Sequence, residues 1–199
     1  MIENEIAIDN SKRLRFELGR KVNHVGMGIL FIFILFYFGR IPLLYFLIVL
    51  LLTGSIIIFL MHRGRRMPIA SWMVDRFERE EARFPGYGAF WYVVGSLLLV
   101  LSVADPNEIA SAVVVLALGD AAATLFGIRN GRHRHRYNPE KTIEGTAAFF
   151  IFSLPACLFT GWEGAAFAAI AAIVESLPLP VDDNLSIPLA AILFFSLAS

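Results

Sequence analysis

A single cysteine, Cys157, stands in the whole 199-residue chain. An internal disulfide and a thiolate metal cluster are therefore excluded, and its apolar surroundings read as a buried, inert thiol. Charge is scarce as well: Asp, Glu, Lys and Arg make up 17% of the residues, against about 25% in soluble domains. Neither sign is in excess, with 17 basic and 17 acidic residues, so the total identifies no partner and no nucleic-acid partner is expected. Internal repeats and low-complexity stretches are absent. What is abundant is apolar: the aliphatic, aromatic and sulfur-bearing residues reach 57%, and the mean hydropathy is +0.67. A soluble globule of this size has too little interior to hide that much apolar surface. A soluble enzyme, a disordered protein and a secreted mini-domain are excluded, leaving an all-α integral membrane protein of one domain, residues 1–199.

Seven runs poor in charge are candidates for spanning helices, which need about 20 apolar residues. They cover residues 22–39, 41–61, 84–104, 109–128 (interrupted by Asp120), 145–162, 164–181 (interrupted by Glu175) and 185–199. The last is the shortest, reaching about 22 Å. Residues 1–21 read as a cytoplasmic helix leading into the first span, and no small-residue cleavage site follows that span, so it is not read as a signal peptide.

With the N-terminus and the loops after the second, fourth and sixth runs on one side, all of the 17 basic residues except Arg40 share that side. They include Lys12, Arg13 and Arg15 before the first run, Arg66 and Arg79 after the second, and Arg129, Arg134 and Arg136 after the fourth. The positive-inside rule then makes that side cytoplasmic. The expectation is a multi-pass protein of the cell membrane or the endoplasmic reticulum membrane, with its active site facing the cytoplasm.

Polar residues inside such runs are costly. A carboxylate at the centre of a spanning helix costs about 2.5–3.5 kcal/mol. Asp120 lies about 13 Å along a helix from Arg129, well below the surface, and is a functional candidate facing a cavity or a cation. On this view, asparagine at position 120 would keep the fold and ease insertion. Thr124 and Gly127 follow on the same helix face and Gly119 precedes it. The glycines suit either a ligand's approach or close helix packing. Glu175 is followed by Asp182, Asp183 and Asn184, three more acceptors at the membrane surface, and Asp183 or Asn184 also suits the cap of the last helix. Glu17, Lys21, His24 and Gly28 form one helical stripe beside Arg20. His24 in that stripe suits a structural hydrogen bond or a ligand.

The loop from Gly127 to Gly145 holds Gly131, Arg132, Lys141, Thr142 and Glu144. Glycines let a backbone approach a ligand, and guanidinium and ammonium groups grip polyanions. Behind a buried Asp120, this reads as an acid for Mg²⁺ followed by glycines and bases for phosphates. His133 and His135 read as solvated loop residues.

The stretch Gly119-Asp120-Ala-Ala-Ala-Thr124-Leu-Phe-Gly127, then Gly131-Arg132-His, then Pro139-Glu-Lys141-Thr142-Ile-Glu144-Gly145, resembles a motif shared by two groups. One is the CTP-dependent lipid kinases (dolichol kinase, the CTP-dependent diacylglycerol kinase and phytol kinase). The other is CDP-diacylglycerol synthase. Three flanking elements resemble the kinases: Glu17-Leu-Gly-Arg20-Lys21-Val-Asn-His24, Pro85-Gly-Tyr-Gly88-Ala, and Glu175 followed by Asp183-Asn184. No histidine here precedes Gly-Gly, as the synthase signature would require.

The resemblance implies a CTP-dependent kinase acting on a lipid alcohol in the bilayer, whether polyprenol, dolichol, phytol, geranylgeraniol or diacylglycerol. It implies Mg²⁺ on Asp120, with Glu175 and Asp183 as further metal ligands. Lys141 would bind the triphosphate with Arg132 and the backbone at Gly127 and Gly131. Thr124, Thr142, Gly145, Arg20, Lys21 and Asn184 complete the nucleotide site. Glu144 would orient Lys141 or hold a metal-bound water. His24, Glu144 and Asp183 are candidates for the base. The alternatives are a cytidylyltransferase, which would release pyrophosphate, and an ion-coupled transporter. A non-catalytic scaffold leaves Asp120 unexplained. The oligomeric state is open, with a homodimer one option.

Overall fold

The computed structural model describes residues 2–65, 67–78 and 82–198, with side chains from Arg13 onward. Arg66, Arg79, the side chain of Lys12 and the terminal Ser199 lie outside the described residues. Helix α1 (Ile2–Tyr37) is continuous, so the expected N-terminal helix and the first span are one rod. It ends at Gly39, whose φ of 98° is open to glycine, and α2 (Arg40–His62) turns back beside it. Arg40, the lone basic residue at this end, spends its guanidinium on the carbonyls of Val100 and Leu101 at 2.8 and 3.0 Å. Those are carbonyls at the C-terminus of α4 (Tyr87–Ser102), which have no partner within their own helix.

The loop after the second run, rich in arginine, holds a further helix, α3 (Pro68–Phe77), started by proline in its first turn. The ring of Phe77 lies over Gly19 of α1. The middle of the bundle is one 25-residue rod, Pro106–Asn130. It runs as α5 (Pro106–Val114), a π turn (Val115–Gly119) and α6 (Asp120–Asn130). Asp105 caps it by accepting from the Asn107 amide at 2.7 Å. Its residues 109–117 are all buried, which is why this charge-poor run lacks a polar face.

Helices α7 (Ile143–Ser153), α8 (Cys157–Thr160), α9 (Trp162–Ser176) and α10 (Asp183–Ala198) complete the bundle. Pro155 tightens the α7–α8 junction into a 3-10 turn. Cys157 is partly exposed there, not buried as expected. Phe31, Leu47, Ile109, Phe149, Phe167 and Ile187 meet in a core drawn from six helices.

Among the described residues four stretches are long and apolar enough to cross a membrane: Arg13–Tyr37, Arg40–His62, Pro106–Asn130 and Ile143–Thr160. Tyr87–Ser102 and Asp183–Ala198 are shorter apolar helices. The expected count of seven is not reproduced, because the sixth run is broken after Ser176 and leaves only the 15-residue α9. Large apolar side chains such as Phe33, Tyr45, Ile56, Ile151 and Leu193 face outward. A chain this apolar outside and inside is built as a membrane helix bundle. Among the described residues the only extended pairing is an isolated bridge between Arg134 and Thr142.

Candidate functional site

The charged stripe of α1 is aimed at the central rod. Lys21 donates to Asp120 Oδ2, and His24 Nε2 lies 3.6 Å from the same oxygen. All three side chains are at most 8% exposed. Lys21 and His24 stand three residues apart on one helix face, so they reach the same carboxylate. Glu17, one turn earlier, accepts from Arg20 at 2.8 Å. One turn beyond His24, Gly28 lets α1 close on the rod: a Cβ there would meet Ala117 at 2.8 Å and the Tyr92 hydroxyl at 3.1 Å. The π turn ends at Gly119, immediately before Asp120, and such turns recur beside functional residues.

Tyr92 went unnoticed in the sequence. Its ring lies 4.1 Å from the His24 imidazole, and its hydroxyl donates to the His24 carbonyl at 3.4 Å. The available signal was a phenol inside the apolar run 84–104, where a buried hydroxyl seeks an acceptor.

A second ion-paired group lies at the same end of the bundle. Lys141 donates to Glu175 at 2.5 Å and to Asp183 at 2.7 Å, joining the last turn of α9 to the first turn of α10. The loop carrying it is held by its own backbone, with His135 N–H on the Lys141 carbonyl and Ile143 N–H on the His133 carbonyl. Asn138 is buried and donates to the Ser176 carbonyl at 3.0 Å, and Tyr137 bonds the Ser176 hydroxyl at 2.9 Å. Burial alone would lower the pKa of Lys141, but Asp183 and Glu175 more than offset it and hold the ammonium above the ordinary lysine value. Glu175 Oε2 is buried without a hydrogen-bond partner.

Several expected residues take other local roles. Glu144 does not serve Lys141; its carboxylate takes His133 Nδ1 at 2.7 Å and the His133 amide at 3.2 Å. The cap of α10 is Asp182, which accepts from the Asn184 amide at 2.9 Å, in place of Asp183 or Asn184. An Asx residue reaches the amide two positions on, so the cap precedes both. Asn184 instead donates to the Gly88 carbonyl at 3.3 Å, tying α10 to the start of α4. Thr142 caps α7 by accepting from Gly145 N–H at 3.1 Å. Gly127, Gly131 and Gly145 gather around Thr142 where the end of α6 meets the start of α7. Thr124 lies one turn after Asp120, partly exposed, and Arg132 is exposed on the loop.

Asp120, Glu175 and Asp183 are divided between two ion-paired groups, one on Lys21 and one on Lys141. Among the described residues no three His, Cys, Asp or Glu side chains form a metal-holding group. The donors are nonetheless hard oxygens, Asp120 and Glu175 are within electrostatic range of each other, and one Glu175 oxygen is unpartnered. Oxygen donors of this kind are the type that Mg²⁺ takes, but in this structure the ammonium groups of Lys21 and Lys141 hold them.

A cavity of about 580 Å³ opens beside the Lys21–Asp120 pair. Its polar lining includes Arg20, His24, Glu78, Asp182 and Asn184; its apolar lining includes Leu50, Ile57 and Met61 of α2, and Met73 and Phe77 of α3. Burial raises the pKa of both Glu78 and Asp182 above the ordinary carboxylate range. Neither Glu78 nor α3 was expected at the site, although Pro68 and the helical spacing of Ile69, Trp72, Met73 and Phe77 were available as signals within the charged loop.

No family model and no solved structure matches the chain. An uncharacterized protein of Methanocaldococcus jannaschii is 34% identical over 175 residues, covering 86% of this chain and 88% of the relative. Phytol kinase 1, chloroplastic, of Arabidopsis thaliana is 30% identical over 200 residues, covering 88% of this chain. A probable chloroplastic phytol kinase of Triticum aestivum is 31% identical over 128 residues, covering 53%. The chain spans 64% of the Arabidopsis protein and 42% of the wheat protein. The chain belongs to one family with the archaeal protein and is distantly homologous to the plant phytol kinases.

Proposed function

We propose that this protein transfers the γ-phosphate of CTP to the hydroxyl of a membrane lipid alcohol at the cytoplasmic end of the bundle. The observation that carries the reading is two ion-paired groups, the buried Lys21–Asp120 and the partly exposed Lys141–Glu175–Asp183, whose chain neighbours Arg20, His24, Asp182 and Asn184 line an amphipathic cavity. A hydrophilic donor and an apolar acceptor need such a border. Phosphoryl transfer needs positioning and charge neutralisation more than covalent help.

Asp120, Glu175 and Asp183 are the oxygen donors that would hold Mg²⁺. The ion would neutralise charge on the β- and γ-phosphates. Lys141 and Arg132 would grip the triphosphate, with Lys21 and Arg20 behind Asp120. The glycine-walled corner of Gly127, Gly131 and Gly145, with Thr124, Thr142 and Asn184, would seat the rest of the nucleotide. The acceptor oxygen bonds to the γ-phosphorus, the bond from that phosphorus to the β–γ bridging oxygen breaks, CDP leaves, and the hydroxyl proton passes to a base. Of the three base candidates, His24 alone lines the cavity. Glu144 is engaged by His133, and Asp183 by Lys141.

The test is labelled CTP with membranes containing the protein and a panel of lipid alcohols. Label should enter the lipid phase from the γ position and not from the α position, with CDP as co-product. Label from the α position with release of pyrophosphate would make the protein a cytidylyltransferase.

A further inference from the structure

Helix α3 has three faces. Ala70, Val74 and Phe77 recur at helical spacing and line the cavity, with the Phe77 ring over Gly19 of α1. Ser71 and Asp75, four residues apart, share a polar face. Ile69, Trp72, Met73 and Arg76 form the third, and all four are exposed. Met73, at the edge between the two apolar faces, also borders the cavity. Ile69 is 76% and Trp72 60% exposed, so packing within the chain does not account for the third face.

Its position identifies what covers it. Gly19, under Phe77, lies near the start of the apolar stretch Arg13–Tyr37, and Met61, which shares the cavity with α3, lies at the end of Arg40–His62. Helix α3 therefore packs where two spanning stretches pass from hydrocarbon to water. Tryptophan collects at that level, with its ring in the acyl boundary and its N–H toward the headgroups. Charge points the same way. Residues 63–76 hold four arginines against one acid, Asp75, and Glu78, Glu80 and Glu81 come only after the helix. Arg76 stands one turn past Trp72 on the same face. Arg65 is exposed, and Arg63 lies 5.0 Å from the centroid of the outward-facing Phe59 ring. A guanidinium at the rim of an apolar belt holds a phosphate while its stem covers hydrocarbon.

We infer that α3 is an interfacial helix: its Ile69–Trp72–Met73 face beds in the leaflet at this end of the bundle, and Arg63, Arg65 and Arg76 gather anionic phospholipid headgroups around it. The inference stands apart from the kinase reading. Binding of a helix to a bilayer scales with its apolar area, which is small in ten residues. Here both ends of α3 are tied to bundle helices, so its docking is intramolecular and needs little area. The helix then meets lipid on one face and the cavity on another, and the cavity wall it forms borders the headgroup layer.

The chain has three tryptophans, Trp72, Trp91 and Trp162. The full chain with Trp91→Phe and Trp162→Phe, one copy per phosphatidylcholine nanodisc, keeps Trp72 as the sole indole. A small, equal fraction of phosphatidylcholine or of phosphatidylglycerol, brominated near the headgroup end of its acyl chains, is the quencher. Both should quench Trp72, and phosphatidylglycerol about twofold more strongly. Adding Arg63→Gln, Arg65→Gln and Arg76→Gln should abolish that excess and keep the quenching by phosphatidylcholine. Added salt should lower the excess as the charges are screened. If the double Phe variant does not fold, the difference in emission between wild type and Trp72→Phe gives the same reading. A Trp72 open to aqueous acrylamide and untouched by bromine faces water and overturns the inference. So does a Trp72 shielded from both quenchers only in discs that hold two copies, which makes this face a contact between chains. Equal quenching by the two lipids with the arginines in place overturns the gathering of anionic headgroups.

Discussion

Asp120→Asn strands a cation. Asp120 is the acceptor for Lys21, whose side chain is only 3% exposed. The amide keeps the shape and loses the charge, so an ammonium is left in the interior. Breaking a buried pair from one side costs about 3–5 kcal/mol. The ammonium can escape by releasing its proton, which from the ordinary lysine value costs about 4–5 kcal/mol at pH 7, so that route gives little relief. Glu17 lies within electrostatic range of Lys21 and moderates the loss toward the lower figure. We expect Asp120→Asn to lose about 3 kcal/mol of stability, measured by unfolding in one detergent at matched protein concentration. The double variant Lys21→Met/Asp120→Asn should regain most of it, because both charges are gone, and should remain inactive. The sequence alone suggested a harmless, even easier insertion; Lys21 reverses that sign. A single variant as stable as wild type, or a double variant no more stable than the single one, refutes the argument.

Lys141→Ala should lose far more activity than Arg63→Ala, read as KM for CTP and maximal rate. Lys141 joins two carboxylates, whereas Arg63 is exposed over the Phe59 ring, a contact of about 0.5–1 kcal/mol; equal, mild losses would make the Lys141 loop only a topology signal. The Lys141 pKa is raised on folding, so its contribution is fully present below the unfolded value of about 10.4 and is lost only as pH rises through the higher folded value. Stability lost by Lys141→Ala should therefore be constant from pH 6 to about 9, and a loss that shrinks steadily over that window would contradict the pairing. Gly119→Ala should destabilise by about 1–3 kcal/mol, since its Cβ would lie 2.3 Å from Ser153 Oγ. Gly26→Ala, with nothing within 4 Å, should be neutral or gain up to about 1 kcal/mol from helix propensity, in the same unfolding assay.

Much of the bundle was legible because charge-poor runs are interrupted where helices turn. The turn at Asp105 falls between the third and fourth expected runs, and those at Gly39 and Gly161 fall within two residues of the ends expected for the first and fifth. The stripe Glu17, Lys21, His24 was legible through helical period, and it does face the carboxylate isolated in the fourth run. Pairing was not legible. Lys21 and Asp120 are 99 positions apart, and nothing local chooses Asp120 over Glu175 as the partner. Lys141 was assigned to phosphates because it follows a glycine-rich turn; its contacts with Glu175 and Asp183 depend on how α9 and α10 are stacked. Glu144 and Asp182 were decided by reach over a few bonds in loops of unknown shape. Helix α3 was legible from Pro68 and its one-sided apolar spacing, and only its docking on Gly19 of α1 depends on the tertiary fold.

The π turn from Val115 to Gly119 amounts to one residue more than an unbroken α-helix would need between α5 and α6. A chain shortened by one residue there could regain regular hydrogen bonding along the whole rod. It would do so by rotating everything on one side of the deletion by about 100° relative to the other. With α5 fixed by its buried face, residue 120 would swing away from Lys21 and His24, and Thr124 and Gly127 would swing with it. The surplus residue acts as an indexing tooth: it sets which flank of the rod bears the carboxylate, independently of the apolar packing that sets where the rod stands. In an alignment of related chains it would surface as a single-position gap a few residues before the aspartate, and chains on the two sides of that gap would need different partners for the acid.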